Sequence, residues 1–494
     1  MYVEQAIESC GFGLYQFVTF IITTFGYAYL GCYESSIIYY QKSVPFVCTD
    51  SINRTKSFNY TSKCIDNCSK YIYESYDTSI YSAMDLGCSP RNIAISVSQA
   101  MFSLGLAFFA PFNSYLQERL GRKPVVILGC ILMSLSILIP IAFPNIYAVI
   151  AMRFLSGSAY LALELSTYLI GLEIMPLRYR TMVNLVYMAS CGLGAIVSSP
   201  IAYIFEYSWK MQIITMAAIP QAIAILYLLF IDESPRWLVY KGRIPEARLI
   251  LNKFRKESSD VSFVHLKSAS EKSSLSFKET ISELFGSPEM ILLSITCIIC
   301  WNDMNFVYYG MLYDIGSLSG SIYIDGIIVP SAELLVPITI ILLMRYGRKP
   351  ILIGFLILTT AALILLPITK EIAFALEIID SFIGRFCATA LFNIWWGYQT
   401  EVLSTRLRNH GMSFFEALGR IGSILAPFVL QLDEINFAIP FLIFGIVNLI
   451  PIPLIIIYAP ESHNKPLPEK TGEIFEVKDN QYKLMRGESD AEFK

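Results

Sequence analysis

Twelve apolar runs, each close to 20 residues long, set the strongest limit on how this chain folds. A helix needs about 20 apolar residues to cross the roughly 30 Å hydrocarbon core of a bilayer. Only 16% of the residues are charged, against about 25% in soluble domains. The sequence therefore predicts an all-α membrane protein with twelve transmembrane helices, at 11–31, 93–116, 124–143, 146–170, 183–205, 211–231, 289–313, 322–344, 350–369, 372–397, 410–431 and 437–459.

Basic residues in the short loops orient these helices, because cytoplasmic loops carry an excess of Lys and Arg. With a cytoplasmic N-terminus, the short outer loops hold only Lys210 and Lys370. Both termini and the long central loop are therefore predicted to be cytoplasmic. The ten basic residues of the short inner loops are Arg119, Arg122, Lys123, Arg178, Arg180, Arg345, Arg348, Lys349, Arg406 and Arg408.

Three motifs occur twice, at offsets of 226 to 228 residues. They are Gly-Arg-Lys at 121–123 and 347–349, an acid with arginines five and seven residues later at Glu173 and Glu401, and Glu-Ser at 233–234 and 461–462. Repetition at one offset indicates a duplicated unit. The predicted parts are an N-terminal six-helix half (1–231), a cytoplasmic loop (232–288), a C-terminal six-helix half (289–460) and a cytoplasmic tail (461–494).

The first outer loop, residues 32–91, is long and polar. Its cysteines face an oxidising exterior in this topology, which favours disulfides. Cys32 ends the first apolar run and is the expected odd thiol, and the other four leave three pairings open: Cys48, Cys64, Cys68 and Cys88. The same loop carries three Asn-X-Ser/Thr acceptor sites for glycosylation, at Asn53, Asn59 and Asn67.

The duplicated motifs resemble those of the major facilitator superfamily. Within it, the cysteine-bearing outer loop and the segments 233–238, 308–310 and 419–427 look like those of the organic cation, anion and zwitterion (carnitine-type) transporters. The resemblance implies a major facilitator fold with two pseudo-symmetric halves, and a multi-pass plasma-membrane carrier without a cofactor. Two departures stand out: Glu118 replaces the usual Asp, and Met344 replaces the acid in the second copy.

Charged residues at the inner helix ends are predicted to form a gate between the rocking halves. The expected pairs are Glu118 with Arg122, Glu173 with Arg180, and Glu401 with Arg408. Exposed pairs are worth only about 0–1 kcal/mol each, so such a gate opens readily. The simpler alternative is that the arginines only set the topology. The full predicted gating set is Glu118, Arg122, Arg153, Glu173, Arg180, Arg236, Arg348, Glu401 and Arg408.

Charges at membrane depth mark the predicted substrate site, since each costs about 2.5–3.5 kcal/mol there. The resemblance implies that Glu333 attracts a cationic group, and that Arg420 stands where anion and zwitterion carriers have Arg. Such a pair suits a zwitterion, unless the two residues pair with each other or with Asp303. Aromatic rings, which attract quaternary ammonium groups, complete the site: Tyr308, Tyr309, Trp395 and Trp396.

Energetics separate the possible coupling modes. A monovalent cation gains about 2.3 kcal/mol per 100 mV of membrane potential and needs no second ion, whereas a zwitterion gains nothing and needs exchange or a coupled ion. Asp303 is a candidate proton or sodium site. A net charge of −3 without a basic stripe argues against a nucleic-acid partner, and no residues have metal-ligand spacing.

The sequence therefore predicts a carrier of small organic cations or zwitterions of the carnitine class. Two alternatives remain: an organic-anion exchanger, and a transporter-like receptor or vesicle protein that moves nothing. An ATP-driven pump is not expected, because the chain has no phosphate-binding loop of the Walker type. An enzyme is not expected either.

Overall fold

Each of the twelve predicted runs is helical in the computed structural model, which describes residues 3–48, 71–86, 93–254, 277–315, 321–404 and 407–462. The helices of the first half are α1 (Val3–Cys10), α2 (Leu14–Tyr40), α3 (Ile80–Ala83), α4 (Ile93–Leu120), α5 (Arg122–Ala142), α6 (Ile146–Ile174), α7 (Leu177–Ile204) and α8 (Trp209–Phe230). The central loop forms α9 (Pro235–Tyr240), α10 (Ile244–Phe254) and α11 (Phe277–Leu284).

The second half repeats this pattern with two interrupted helices. Its helices are α12 (Pro288–Asp314), α13 (Ile322–Ser331), α14 (Thr339–Tyr346), α15 (Arg348–Ile372), α16 (Phe374–Val402), α17 (Arg408–Leu430), α18 (Ala438–Val447) and α19 (Pro451–Tyr458). A 3₁₀ turn at Ala332–Ile338 joins α13 to α14, and another at Gln431–Glu434 follows α17.

Nine helices of the described chain are long and apolar enough to cross a membrane. The other three predicted spans are α2, the pair α13–α14, and α16. Glu333 lies in the 3₁₀ turn of the eighth span, and Glu377, Asp380 and Arg385 lie in α16. The polar residues that interrupt the eighth and tenth spans therefore include the buried charged residues Glu333, Glu377 and Arg385.

Proline residues flank the break in the eighth span. Pro330 lies near the end of α13 and Pro337 lies in the 3₁₀ turn. Each lacks a backbone N–H and so removes a helical hydrogen bond, which kinks or breaks a helix. The tighter turn between them carries Glu333, which is 4% exposed. The sequence prediction of one continuous helix over 322–344 is therefore wrong in this detail.

Glycine permits the sharp turns at the predicted inner face. Gly121 separates α4 from α5 and Gly347 separates α14 from α15, with φ of +100° and +87°. This backbone region is almost closed to residues with a Cβ atom. The two glycines therefore let consecutive spans reverse direction without a longer loop.

The halves meet along two helix pairs. In one pair α4 packs on α17, and in the other α7 packs on α13 and its 3₁₀ turn. Ser96 Oγ of α4 donates to the Pro427 carbonyl of α17 at 3.0 Å. Ser199 Oγ of α7 donates to the Tyr323 carbonyl of α13 at 2.6 Å. Hydrogen bonds between membrane helices are individually modest, so they leave such an interface free to rearrange.

The central loop and the outer loop contain structure that the all-α prediction did not specify. The strands β1 (Phe46–Cys48) and β2 (Tyr71–Tyr73) pair antiparallel in the outer loop. Helix α10 packs through Phe254 on Tyr15 of α2, with ring centroids 5.4 Å apart. It therefore covers the predicted inner end of the first half.

The cysteine predictions divide by position. Cys48 is disulfide-bonded, and Cys32 has a free thiol, as expected for the odd cysteine. The other candidates lie outside the described residues, and they are Cys64, Cys68, Cys88 and the three glycosylation sites Asn53, Asn59 and Asn67.

Candidate functional site

A central cavity lies between the two halves and contains about 970 Å³ of space, its open mouth included. Its walls come from α2, α6 and α7 of the first half, and from α12, α16, α17 and the 3₁₀ turn of the second. Five of the six residues predicted for the substrate site line it: Glu333, Arg420, Tyr308, Tyr309 and Trp396.

Glu333 is held in a buried ion pair with Arg385 of α16. Two guanidinium nitrogens of Arg385 donate to the same carboxylate oxygen, Nη2 at 2.5 Å and Nε at 3.0 Å. The Arg385 side chain is 1% exposed and the Glu333 side chain is 5% exposed. The Arg385 guanidinium also lies 4.0 Å from the ring centroid of Tyr308. Glu333 is therefore neutralised by an arginine that the sequence reasoning did not assign to the site.

Arg420 is also paired, one helical turn from its own acid. Its Nη2 donates to Glu416 at 2.9 Å, and both side chains are 5% exposed. Its Nη1 donates to Asn305 Oδ1 and to the Tyr309 hydroxyl, each at 3.2 Å. The expected alternatives, a contact of Glu333 with Arg420 or with Asp303, are therefore not formed.

Two further carboxylates line the cavity without an arginine or lysine partner among the described residues. Glu34 of α2 accepts a hydrogen bond from the Tyr160 hydroxyl at 3.5 Å. Glu164 of α6 has one carboxylate oxygen that is buried without a hydrogen-bond partner. Neither acid belongs to the predicted substrate site, and Glu34 lies three residues beyond the apolar run 11–31.

Acidic side chains outnumber basic ones at the cavity. The acids are Glu34, Glu164, Glu333 and Glu416, and the bases are Arg385 and Arg420. Both arginines are occupied by acids of the second half, Glu333 and Glu416. The carboxyl groups without an arginine or lysine partner in the described chain therefore lie on the wall formed by the first half.

Aromatic rings surround these charges on both sides. Tyr27, Tyr160 and Tyr168 of the first half face the cavity, in addition to the predicted Tyr308 and Tyr309. Trp396 lines it, but Trp395 does not: Trp395 is fully buried and stacks on Tyr398 with ring centroids 5.1 Å apart. The adjacent tryptophans therefore point to different faces of α16, because successive residues of a helix are turned about 100° from each other.

Asp303, the candidate coupling residue, lies away from the cavity. It is 3% exposed and neither carboxylate oxygen has a hydrogen-bond partner in the described part of the chain. It stands seven residues before Gly310, which packs against Phe444 of α18. Asp303 therefore shares the face of α12 that is turned towards the twelfth span.

At the predicted inner face, a carboxylate binds the start of each helix that follows a Gly-Arg-Lys turn. Glu233 accepts the backbone N–H groups of Arg122 at 3.0 Å, Lys123 at 3.2 Å and Ser234 at 2.8 Å. An acid suits this place, since helix N-termini attract negative charge. Burial raises the pKa of the Glu233 carboxyl, and these N–H groups oppose that shift.

The second half repeats this arrangement with Glu461. Its carboxylate accepts the backbone N–H groups of Arg348, Lys349 and Ser462, each at 3.0 Å. We call the two arrangements, around Glu233 and around Glu461, the carboxylate clamps. The duplicated Glu-Ser motif thus has a structural role: it fixes the end of each half to its own Gly-Arg-Lys turn.

The ion pairs beside the clamps differ from those expected. Arg122 bonds Glu173 at 3.0 Å, and Arg348 bonds Glu401 at 2.8 Å. The predicted pairs Glu118–Arg122, Glu173–Arg180 and Glu401–Arg408 are therefore not formed. The arginine that follows each glycine turn extends to the end of the fourth or tenth span, and there it meets Glu173 or Glu401.

The remaining gating candidates are spread over both faces. Arg408 donates to the Leu403 carbonyl at 3.5 Å, and the Glu118 carbonyl accepts the Trp237 indole N–H at 2.9 Å. Arg236 is in the first turn of α9, and Arg180 is near the start of α7. Arg153 lies two turns into α6, at the predicted outer face, and is therefore far from the inner helix ends.

The cavity is connected to the predicted inner face. A second space of about 640 Å³ shares Met188, Val336 and Asn393 with the cavity and reaches Arg348 and Glu401. At the predicted outer face, the rings of Tyr39 and Tyr323 stack across the two halves, with centroids 5.8 Å apart. Lys42 Nζ donates to the Tyr323 hydroxyl at 3.1 Å. This closure separates the cavity from that face.

Comparison with known proteins agrees with this architecture. A family model described as "Sugar (and other) transporter" matches residues 16–473. An organic cation transporter protein of Drosophila melanogaster is 26% identical, over 81% of this chain and 75% of its own. Organic anion transporter 3 of Oryctolagus cuniculus is 27% identical, over 83% and 76%.

The fold is also that of a solved structure. The inward-open xylose transporter XylE from E. coli matches with a TM-score of 0.65 and 12% identity, over 92% of this chain and 98% of that chain. The partially occluded inward-open form of the same transporter also matches with a TM-score of 0.65.

Proposed function

Because the chain belongs to the sugar (and other) transporter family, within the major facilitator superfamily, we propose that this membrane transporter carries small organic cations by alternating access. The two moving bodies are the halves 1–231 and 289–460, joined by the loop 232–288. The tail 461–494 and both termini are cytoplasmic in this proposal, and the protein lies in the plasma membrane.

The observation that carries the proposal is the unpaired acid of the central cavity. Glu34 and Glu164 have no arginine or lysine partner in the described chain, whereas Glu333 and Glu416 do. A charge at this depth is costly without a partner. A substrate cation placed between the two carboxylates supplies that partner, and the tyrosine rings around it add cation–π attraction.

A zwitterion of the carnitine class is less well supported than the sequence alone indicated. That hypothesis assigned a substrate ammonium group to Glu333 and a substrate carboxylate to Arg420. Glu333 is already paired with Arg385 at 2.5 Å, and Arg420 with Glu416 at 2.9 Å. A substrate carboxylate must displace Glu416 from Arg420, and breaking a buried pair is strongly unfavourable.

An organic anion is the second candidate. Arg420 lines the cavity, and one relative is named an organic anion transporter. Transport of an anion requires that Glu34 and Glu164 become protonated, or that Arg420 exchanges Glu416 for the substrate. The cation requires neither change, and the membrane potential drives it without a coupled proton or sodium ion. Asp303 then has no part in coupling.

Uptake in oocytes tests the choice of substrate class. Tetraethylammonium, carnitine and an aromatic carboxylate, each radiolabelled, are supplied separately to cells that express the native chain. Uptake of the quaternary ammonium ion is expected to exceed that of the other two. It is expected to rise when the membrane is hyperpolarised, because the substrate carries the transported charge.

Two neutralising variants then test the site. Glu34→Gln and Glu164→Gln are each expected to reduce cation uptake at least tenfold, because each removes an unpaired carboxylate without stranding an arginine. Glu371→Gln is the matched control, since Glu371 is an exposed carboxylate outside the cavity. Unchanged cation uptake in both cavity variants, at equal surface expression, contradicts the proposed site. Uptake of the anion alone favours the second candidate.

A further inference from the structure

Arg153 of α6 is a buried guanidinium that has no acid beside it. The residue is 7% exposed, and its Nη1 donates a hydrogen bond to the Tyr33 hydroxyl at 2.8 Å. Its Nε is buried without a partner. The guanidinium carbon lies 4.4 Å from the ring centroid of Phe102 and 5.7 Å from that of Tyr33. No carboxylate of the described chain pairs with it.

Arg385, one helical turn further along the equivalent helix of the second half, shows how a buried guanidinium is neutralised there. Arg385 stands 232 residues after Arg153, and it also lies against an aromatic ring, that of Tyr308. Its charge is neutralised by Glu333 of the eighth span. The corresponding span of the first half is α4, which contains no acid from residue 93 to residue 117. Phe102 faces Arg153 from that helix instead.

The charge of Arg153 is therefore left uncompensated by the fold. The aromatic rings of Phe102 and Tyr33 attract the guanidinium. The penalty for removing an ion from water is larger than such contacts repay, so the rings do not offset it. A guanidinium is always protonated in proteins, so it cannot escape this penalty by losing its proton.

A separate cavity of about 390 Å³, its opening included, lies beside the guanidinium. None of its lining residues lines the central cavity. Tyr33 and Tyr40 line it together with Ser136 and Ser156, whose hydroxyls donate to the Met133 and Arg153 carbonyls at 2.7 Å and 2.8 Å. The Tyr33 hydroxyl accepts its hydrogen bond from Arg153, so its own proton remains available to donate to a ligand. The rest of the wall is apolar, including Ile137, Pro140 and Val149.

We propose that this cavity binds a small inorganic anion of the size of chloride, held by Arg153 and the Tyr33 hydroxyl. The anion supplies the negative charge that Glu333 supplies in the second half. A monatomic anion suits the site because few donors reach it, the Arg153 guanidinium and the Tyr33 hydroxyl among them, and apolar side chains form most of its wall. The site is distinct from the central cavity, so it stands whether or not the transported substrate is a cation.

The test measures chloride binding to the purified full-length protein in detergent. Radiolabelled chloride is bound to immobilised protein, and the melting temperature is followed while sodium chloride replaces sodium gluconate at constant ionic strength. The native chain is expected to bind chloride saturably, and its melting temperature is expected to rise with the same half-saturation. Gluconate is the control because it is too large for a site built for one atom.

Three variants separate the proposed site from a general effect of salt. Arg153→Gln removes the guanidinium, and Phe102→Glu places a carboxylate on α4 opposite it, as in the second half. Both are expected to lose saturable chloride binding and the chloride-dependent rise in melting temperature. Arg345→Gln removes an exposed arginine and is expected to keep both.

The Phe102→Glu variant keeps the test decisive if Arg153→Gln fails to fold, because it retains Arg153 and adds its missing partner. The proposal is overturned if the native chain shows no saturable chloride binding. It is equally overturned if the Phe102→Glu variant responds to chloride as the native chain does.

Discussion

Breaking the Glu333–Arg385 pair should destabilise the protein far more than breaking an inner-face pair. Glu333→Gln removes the carboxylate and leaves Arg385, whose side chain is 1% exposed, without its acid. Removing one partner of a buried pair costs about 3–5 kcal/mol, because the other charge stays buried and unpaired. We therefore expect a loss of about 3–5 kcal/mol in the free energy of unfolding for Glu333→Gln.

A double-mutant cycle gives the sharpest measurement. Arg385→Gln alone leaves Glu333 stranded, whereas Glu333→Gln combined with Arg385→Gln leaves two neutral amides that are able to hydrogen-bond. The double variant should therefore cost less than the sum of the singles, with a coupling energy of about 2–3 kcal/mol, near the upper limit for contacting residues. Unfolding is measured by titrating a denaturing detergent into protein reconstituted in a mild one.

The Arg348–Glu401 pair provides the control cycle, since its side chains are 25% and 27% exposed. Pairs open to solvent are worth about 0–1 kcal/mol, so the coupling energy there should stay below that limit. The reasoning fails if Glu333→Gln costs no more than the corresponding change at Glu401. It also fails if the two single costs at Glu333 and Arg385 simply add.

Three further predictions follow from the clamps, the outer closure and the cavity. Gly121→Ala should lower the melting temperature more than Gly347→Ala. A Cβ at 121 collides with the Glu233 carboxylate, whereas a Cβ at 347 stands 3.1 Å from the Glu461 carboxylate. Equal losses in melting temperature would count against the clamp geometry. In the Tyr323→Ala variant, a membrane-impermeant thiol reagent added outside should label Cys191 in the cavity faster than in the native chain. Cys191→Ser is the control. An unchanged labelling rate would mean that Tyr323 does not close the cavity. Loading cells with unlabelled cation should accelerate uptake of labelled cation, and equal rates with empty cells would argue against an energetic role for the unpaired acids.

Sequence patterns were sufficient for the spans, the two halves and five of the residues that line the cavity. The length of an apolar run and the Gly-Arg-Lys turns are set by local sequence, so they can be recognised without knowing the tertiary contacts. Ion-pair partners were predicted poorly, since Glu333 meets Arg385 across two helices and Arg122 meets Glu173 instead of Glu118. Such choices depend on the rotation of each helix about its axis, which no single helix determines.

The same limit explains the acids that were missed or undervalued. Glu34 lies beyond the run 11–31 that the hydropathy pattern defined, but α2 continues to Tyr40 and carries it into the cavity. Glu416 is not among the predicted site residues, yet it lies 2.9 Å from Arg420 at a spacing of four residues. That spacing was visible in the sequence and was the available signal, because residues four apart share a helix face.

The division of charge between the halves has a mechanical consequence for a carrier. Glu333 and Glu416 are neutralised within the second half, so rocking of the halves leaves their pairs intact. Glu34 and Glu164 are exposed to the cavity without such partners, and water must solvate them when no substrate is present. Occlusion expels that water, so an empty carrier meets the desolvation penalty of both acids. A bound cation removes the penalty, and reorientation should therefore be slower for the empty carrier than for the loaded one.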